Sequence, residues 1–105
     1  MLHLNDQNFE KEILTFGGIA LVDFFAAWCG PCQMLGPILE DVDKEIGAKF
    51  KICKVDVDQA PAAAEKYGVM SVPTLIIFKN GEAVETMNGV RSKEVLIEKL
   101  ESLNQ

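Results

Sequence analysis

The sequence is poor in most of what specialised folds and partners require. Basic residues are scarce, with ten Lys and Arg against sixteen Asp and Glu in 105 residues, a formal charge of −6. That balance argues against a nucleic-acid backbone or an anionic membrane as the main partner, since both are bound through basic patches. No apolar run approaches the roughly 20 residues of a membrane span. The first residues, Met1-Leu2-His3-Leu4-Asn5, lack the basic stretch and apolar block of a secretory signal. Cysteines number three, an odd count that does not suit the disulfide framework of a secreted domain. A reducing cytoplasm is the expected compartment, and there a close cysteine pair is catalytic or metal-binding rather than structural. No repeat, low-complexity tract or linker interrupts the chain. With 49% hydrophobic and 25% charged residues, 1–105 is expected to form a single globular domain.

What is present reads as alternating strands and helices. Leu2 and Leu4 suggest a short first strand. Asn5 or Asp6 can cap a helix carrying Phe9, Ile13 and Phe16, which Gly17-Gly18 ends. Ile19 to Ala26 is a continuous apolar run, as in a strand buried on both faces. Cys32, Leu35, Leu39, Val42 and Ile46 then recur at helical steps, with Pro37 inside the helix and a kink expected there. Phe50 to Val57 is the next strand. Asp58 is expected to cap a helix running through Ala62-Ala63-Ala64 to Tyr67, with Gly68 closing it. Thr74 to Phe78 and Ala83 to Met87 flank Asn80-Gly81, a pair that favours a tight antiparallel hairpin. Ser92 starts a last helix with Leu96, Leu100 and Leu103 inward. The pattern predicts an α/β domain: a mixed sheet with helices on both faces.

The chemistry concentrates at Trp28-Cys29-Gly30-Pro31-Cys32, at a strand-to-helix junction. A structural zinc site needs four ligands, commonly in two close pairs. Beyond Cys29 and Cys32 only Cys53 and His3 have comparable zinc affinity, and they form no second pair, so no metal is expected. The redox reading fits better. Residues at i and i+3 on a helical turn lie within reach of a disulfide. Cys29, at the helix start, meets unpaired amides and the positive dipole end, which favour a thiolate and the attacking role. Cys32, one turn in and on the apolar stripe, suits the resolving role. Gly30 lets a partner backbone approach, and Pro31 suits the first helical turn.

Together with Val22-Asp23-Phe24-Phe25-Ala26-Ala27 before it, and with Lys54-Val55-Asp56, Val72-Pro73-Thr74, Phe78-Lys79-Asn80-Gly81 and Gly89 after it, this motif closely resembles the thioredoxin family over essentially the whole chain. The resemblance implies a thioredoxin fold, a central mixed β-sheet of about five strands flanked by four helices. It implies a protein disulfide reductase, a dithiol electron carrier cycling between the Cys29/Cys32 dithiol and disulfide, with no further cofactor. A thioredoxin reductase would donate the electrons, and disulfide-containing targets such as reductases and peroxidases would receive them. A monomer is expected. Asp23, a carboxylate within an apolar strand, should have a raised pKa and is the candidate proton acceptor for Cys32. Its alternative is a strand position that reaches water. The resemblance pairs Asp23 with Lys54, which strand alternation puts on the same side; an ordinary exposed lysine is the alternative. Pro73 could simply start a strand. The resemblance instead makes the Val72-Pro73 bond cis, facing the disulfide, with Val72 offering its backbone to an extended substrate. Trp28, Gly30, Pro31, Val72, Pro73, Gly89 and Val90 would form the apolar docking surface, although Gly89 also suits a plain turn.

Some positions depart from the family pattern. Phe25 stands where a second tryptophan is frequent, and Gln33 where a lysine or arginine is common. Met70-Ser71 is an unusual lead into Val72-Pro73. Cys53 reads as an inert strand thiol. Gly-Pro between the cysteines, without the histidine of oxidases and isomerases, favours a reductant. The rival from another class is a thioredoxin-fold interaction module whose redox turnover is secondary.

Overall fold

The computed structural model describes residues 1–104. Five strands form one sheet: β1 (Leu2–Leu4), β2 (Ile19–Phe25), β3 (Lys51–Asp56), β4 (Thr74–Lys79) and β5 (Glu82–Asn88). Their spatial order is β1-β3-β2-β4-β5, with β1 and β2 parallel to β3, and β4 antiparallel to both β2 and β5. Three α-helices, α1 (Gly30–Ile46), α2 (Pro61–Lys66) and α3 (Lys93–Leu103), join a π-helical segment at Glu10–Leu14 to make the helical layers.

Strand alternation sorts the core into two halves. Ala20, Val22 and Phe24 of β2, with Cys53 and Val55 of β3, point toward the π-helical segment and α2, meeting Phe9, Ile13 and Ala63. Ile19 and Leu21, with Ile52, point the other way onto Leu35, Leu39 and Val42 of α1 and Leu96 and Leu100 of α3. Because the central strands are covered on both faces, they read as unbroken apolar runs. The odd-numbered positions of β2 therefore face α1, and Asp23 is one of them.

The hairpin follows its sequence signal. Asn80 and Gly81 both have positive φ, 52° and 84°, as a type I′ turn requires. A Cβ at Gly81 would collide with the carbonyl oxygen of Leu14. Ser92 accepts the Val95 N–H at 3.2 Å and caps α3, as expected.

Two local expectations need correction. The first helix is only a short π-helical turn, closed by Thr15 N–H to the Glu10 carbonyl at 3.1 Å. The wider turn brings Leu14 and Phe16 onto the core that Phe9 and Ile13 already fill. Asn5 does accept the Asn8 N–H at 3.0 Å, while the Asn8 side chain accepts the Asn5 N–H at 2.7 Å. The second correction concerns α2. Asp58 does not cap it; the N-cap position is Ala60, which has no acceptor. Asp6 reaches in from the other end of the sequence instead, and its two oxygens accept the Ala62 and Ala63 N–H groups, each at 3.1 Å. This carboxylate supplies the local cap that α2 lacks. Asp6→Ala should cost about 1 kcal/mol of stability, read as a lower urea midpoint with an unchanged denaturant slope.

Candidate active site

β2 delivers the chain to the site and α1 carries it away. After Phe25 the backbone turns, with Cys29 N–H donating to the Ala26 carbonyl at 3.1 Å. Cys29 is the N-cap of α1 in an extended conformation, φ −88° and ψ 117°, and Pro31 stands in the first turn. There the missing proline donor costs nothing, because first-turn amides have no intrahelical acceptor. The Cys32 N–H donates instead to Cys29 Sγ at 3.2 Å. The two cysteines are joined in a disulfide, with Cα atoms 5.3 Å apart. No acidic residue occupies the first turn of α1, so nothing there opposes negative charge on Cys29.

Exposure does not separate the two sulfurs in the way their positions suggest. Cys29 and Cys32 are each 5% exposed. Both pack with Ala26 against Phe25, Val57 and Val72, and this cluster shields the residue at the junction as well as the one inside the helix. Their difference lies in their neighbours. Cys29 Sγ takes the capping amide and lies 3.7 Å from the carbonyl oxygen of Val72. Cys32 lines a groove of about 250 Å³ with Phe25, Gln33 and Lys54.

The expected docking residues gather around this centre. Trp28 is 74% exposed, beside the disulfide rather than in the core. It borders a hollow of about 140 Å³ with Val57, Val69, Met70, Ser71 and Val72. Gly30 and Pro31 are exposed. The Val72–Pro73 bond is cis. Pro73 itself is buried and so is not part of the open docking surface expected of it, whereas half-buried Val72 packs with the cysteines. Gly89, at φ 90°, donates its N–H to the Pro73 carbonyl at 2.8 Å, which ties the half-buried Gly89 and Val90 to the same edge.

Asp23 is fully buried, and neither carboxylate oxygen has a hydrogen-bond partner among the described residues. Burial pushes its pKa up to about 7, partly offset by the Lys54 ammonium. Lys54 stands directly opposite Asp23 in the parallel β2–β3 register, so both side chains leave the same face of the sheet. Its Nζ sits 4.7 Å from the centroid of the Phe25 ring. Cys53, one residue away, faces the other half of the core, where burial pushes its thiol up to about 11. No group of three or more His, Cys, Asp or Glu suited to a metal ion occurs among the described residues.

Three further residues at the site have surroundings that the sequence reading does not supply. Phe25 shares the α1 side of β2 with Asp23 through alternation, but its hold on Lys54 depends on a neighbouring strand. Met34, two residues after Cys32, and Met70, in the hollow beside Trp28, are open apolar side chains, 67% and 96% exposed. Met34 follows Cys32 by two, which points it away from the α1 core stripe, a signal available from helical spacing. Met70 carries no such signal.

The family model described as Thioredoxin matches residues 1–102. A thioredoxin of Bacillus subtilis (strain 168) is 54% identical over 93 residues, covering 89% of this chain and 88% of the relative. A thioredoxin of Listeria monocytogenes is 50% identical over 95 residues, 90% of each chain. Thioredoxin 2 of Chlorobaculum tepidum is 47% identical over 96 residues, covering 91% of this chain and 88% of its own.

Proposed function

This chain belongs to the thioredoxin family and is a thiol–disulfide oxidoreductase, and from that premise we propose that it reduces protein disulfides with unequal roles for its two sulfurs. In the dithiol form Cys29 is the thiolate. Its Sγ attacks one sulfur of a substrate disulfide; the Cys29–substrate bond forms, and the other substrate sulfur leaves as a thiolate. Cys32, once deprotonated, attacks Cys29 Sγ. The Cys29–Cys32 bond forms, the mixed disulfide breaks, and the second substrate sulfur departs. Two electrons have passed to the substrate, and the balance requires no metal or organic cofactor.

The observation that carries this reading is the Cys32 amide donating to Cys29 Sγ at a helix start free of acidic residues. That donor and the helix dipole both stabilise a thiolate at Cys29 rather than at Cys32. Asp23 accepts the Cys32 proton, a role supported by Lys54, which lies opposite Asp23 in the register and lines one groove with Cys32. Lys54 keeps part of the Asp23 population ionised near neutral pH. Trp28, Gly30, Pro31, Val72, Gly89 and Val90 seat the substrate, with Pro73 buried behind them and the Val72 backbone pairing to an extended segment that carries the target disulfide.

The remaining roles follow from this chemistry. A thioredoxin reductase returns two electrons to the Cys29–Cys32 disulfide. The targets are proteins, reductases and peroxidases among them, that oxidise their own cysteines in turn. Such a carrier operates as a monomer in the cytoplasm, in electron transport and cell redox homeostasis. No helix among the described residues is long and apolar enough to cross a membrane. Equilibrating the protein with glutathione at defined ratios tests the direction of flow. The Cys29/Cys32 couple should be more reducing than glutathione; a more oxidising couple would assign the protein to oxidation or isomerisation instead.

A further inference from the structure

Lys54 has a choice of surroundings. One side of it lines the groove that reaches Cys32. The other lines a cleft of about 350 Å³ bounded by Met1, His3, Glu40, Asp43 and Lys44. Glu40 and Asp43 make that cleft attractive to an ammonium, although Asp43 already holds the amino terminus at 3.6 Å. Lys54 nevertheless forms no ion pair among the described residues, and its Nζ rests over the Phe25 ring at 4.7 Å. Asp23 and Phe25 are two apart on β2, hence on one face and about 7 Å apart along the strand. An ammonium over Phe25 therefore stays on the side of Lys54 that adjoins Asp23 and Cys32.

We propose that Phe25 is a positioning residue that seats the Lys54 ammonium beside Asp23 and the Cys32 groove, away from the carboxylates of the neighbouring cleft. The inference rests on the reading that Lys54 tunes Asp23, and it adds what holds Lys54 in place. A ring–ammonium contact at a partly exposed site weights that seat by about two- to five-fold. The charged and titratable groups around the pair are few. Lys54 on β3 faces Asp23, and the half-buried Asp56 lies two residues on along β3 on the same face and opposite Phe25, with one oxygen taken by the Asp58 N–H. Leu75 opposite Asp23 on β4 is apolar, and α1 brings Cys32. His3 on β1, together with Glu40, Asp43, Lys44 and the Met1 amine, faces Lys54 from the cleft side. Without the ring the ammonium is shared with that side, and Asp23 loses part of the positive neighbour that offsets its burial.

The test follows the Asp23 carboxyl by carbon NMR through a pH titration of the oxidised protein, in which neither Cys29 nor Cys32 titrates. Phe25→Leu, which keeps the apolar cover, should move the Asp23 midpoint up by a few tenths of a pH unit, in line with that weighting. Lys54→Met should move it up by about one. Phe25→Leu added to Lys54→Met should move it no further, and Phe25→Trp, with a stronger ring, should keep the native midpoint or lower it. An unmoved midpoint in Phe25→Leu, with a shift in Lys54→Met, would overturn the seat and leave the Lys54–Asp23 coupling intact. Additive shifts in the double variant would overturn it too, because Phe25 would then act by burial alone. If Lys54→Met leaves Asp23 unmoved, the coupling itself fails and the seat with it.

Discussion

Cys29→Ser will reduce the rate of insulin disulfide reduction by about 10³-fold or more, down to the background given by dithiothreitol alone. A serine hydroxyl at this N-cap can still accept the Cys32 amide, so the helix start survives and the loss reports chemistry rather than folding. Cys32→Ser should behave differently. Cys29 still attacks, but no internal sulfur releases the product, and one equivalent of substrate remains bound. Mass spectrometry would find that adduct, and added thiol would remove it. Together the two variants separate nucleophile from resolving thiol. Native turnover in Cys29→Ser would instead support an interaction module with incidental redox activity.

Asp23→Asn will make the protein more stable in alkaline solution and slower at the site. The sign follows from proton binding. In the unfolded chain this carboxyl ionises near 3.8, and in the folded protein burial holds its pKa at about 7. Between those values the folded state keeps a proton that the unfolded state releases, so stability falls as pH rises through the interval. Above about pH 7 the full penalty applies, roughly 4 kcal/mol at about 1.4 kcal/mol per pH unit. The amide variant escapes it. Urea midpoints of the two proteins should converge near pH 3 and separate progressively toward pH 8, with Asp23→Asn the higher. Identical midpoints at pH 8 would mean that Asp23 is solvated after all. The catalytic counterpart is release of substrate from the mixed disulfide. In the native protein that step should accelerate as pH rises through about 7, when Asp23 becomes able to take a proton. In Asp23→Asn it should be slower by about 10²-fold, the usual contribution of a positioned base.

These two residues show why the site was largely legible. A strand repeats every two residues, so Asp23 and Lys54 fall on the α1 side as soon as β2 and β3 are recognised as parallel neighbours. The cysteine spacing and the helix start are equally local, and Asn80-Gly81 dictates its own turn. Contacts chosen by the tertiary fold were not legible. Asp58 precedes α2 in the chain and is the obvious cap, yet a helix amide donates to whichever carboxylate arrives, and Asp6 arrives from the turn after β1. The equal shielding of Cys29 depends on Val72 and Val57, each from a different part of the chain. Phe25 reads in the sequence only as a departure from a frequent tryptophan, because its ring–ammonium contact spans two strands.

The reach of Asp6 across 56 residues to α2 also bears on how the molecule comes apart. β1 pairs only with β3, through three residues, and is the element least held by the sheet. When β1 detaches, Asp6 leaves α2 with it, and a six-residue helix is too short to persist on its own propensity. The amino-terminal strand and α2 should therefore open together, with hydrogen exchange of the Ala62 and Ala63 amides tracking that of β1. Asp23 on β2, Cys29 at the start of α1 and Cys32 within it lie outside that unit, while Lys54 on β3 loses its pairing with His3. The redox centre can remain assembled while the opposite face of the sheet breathes.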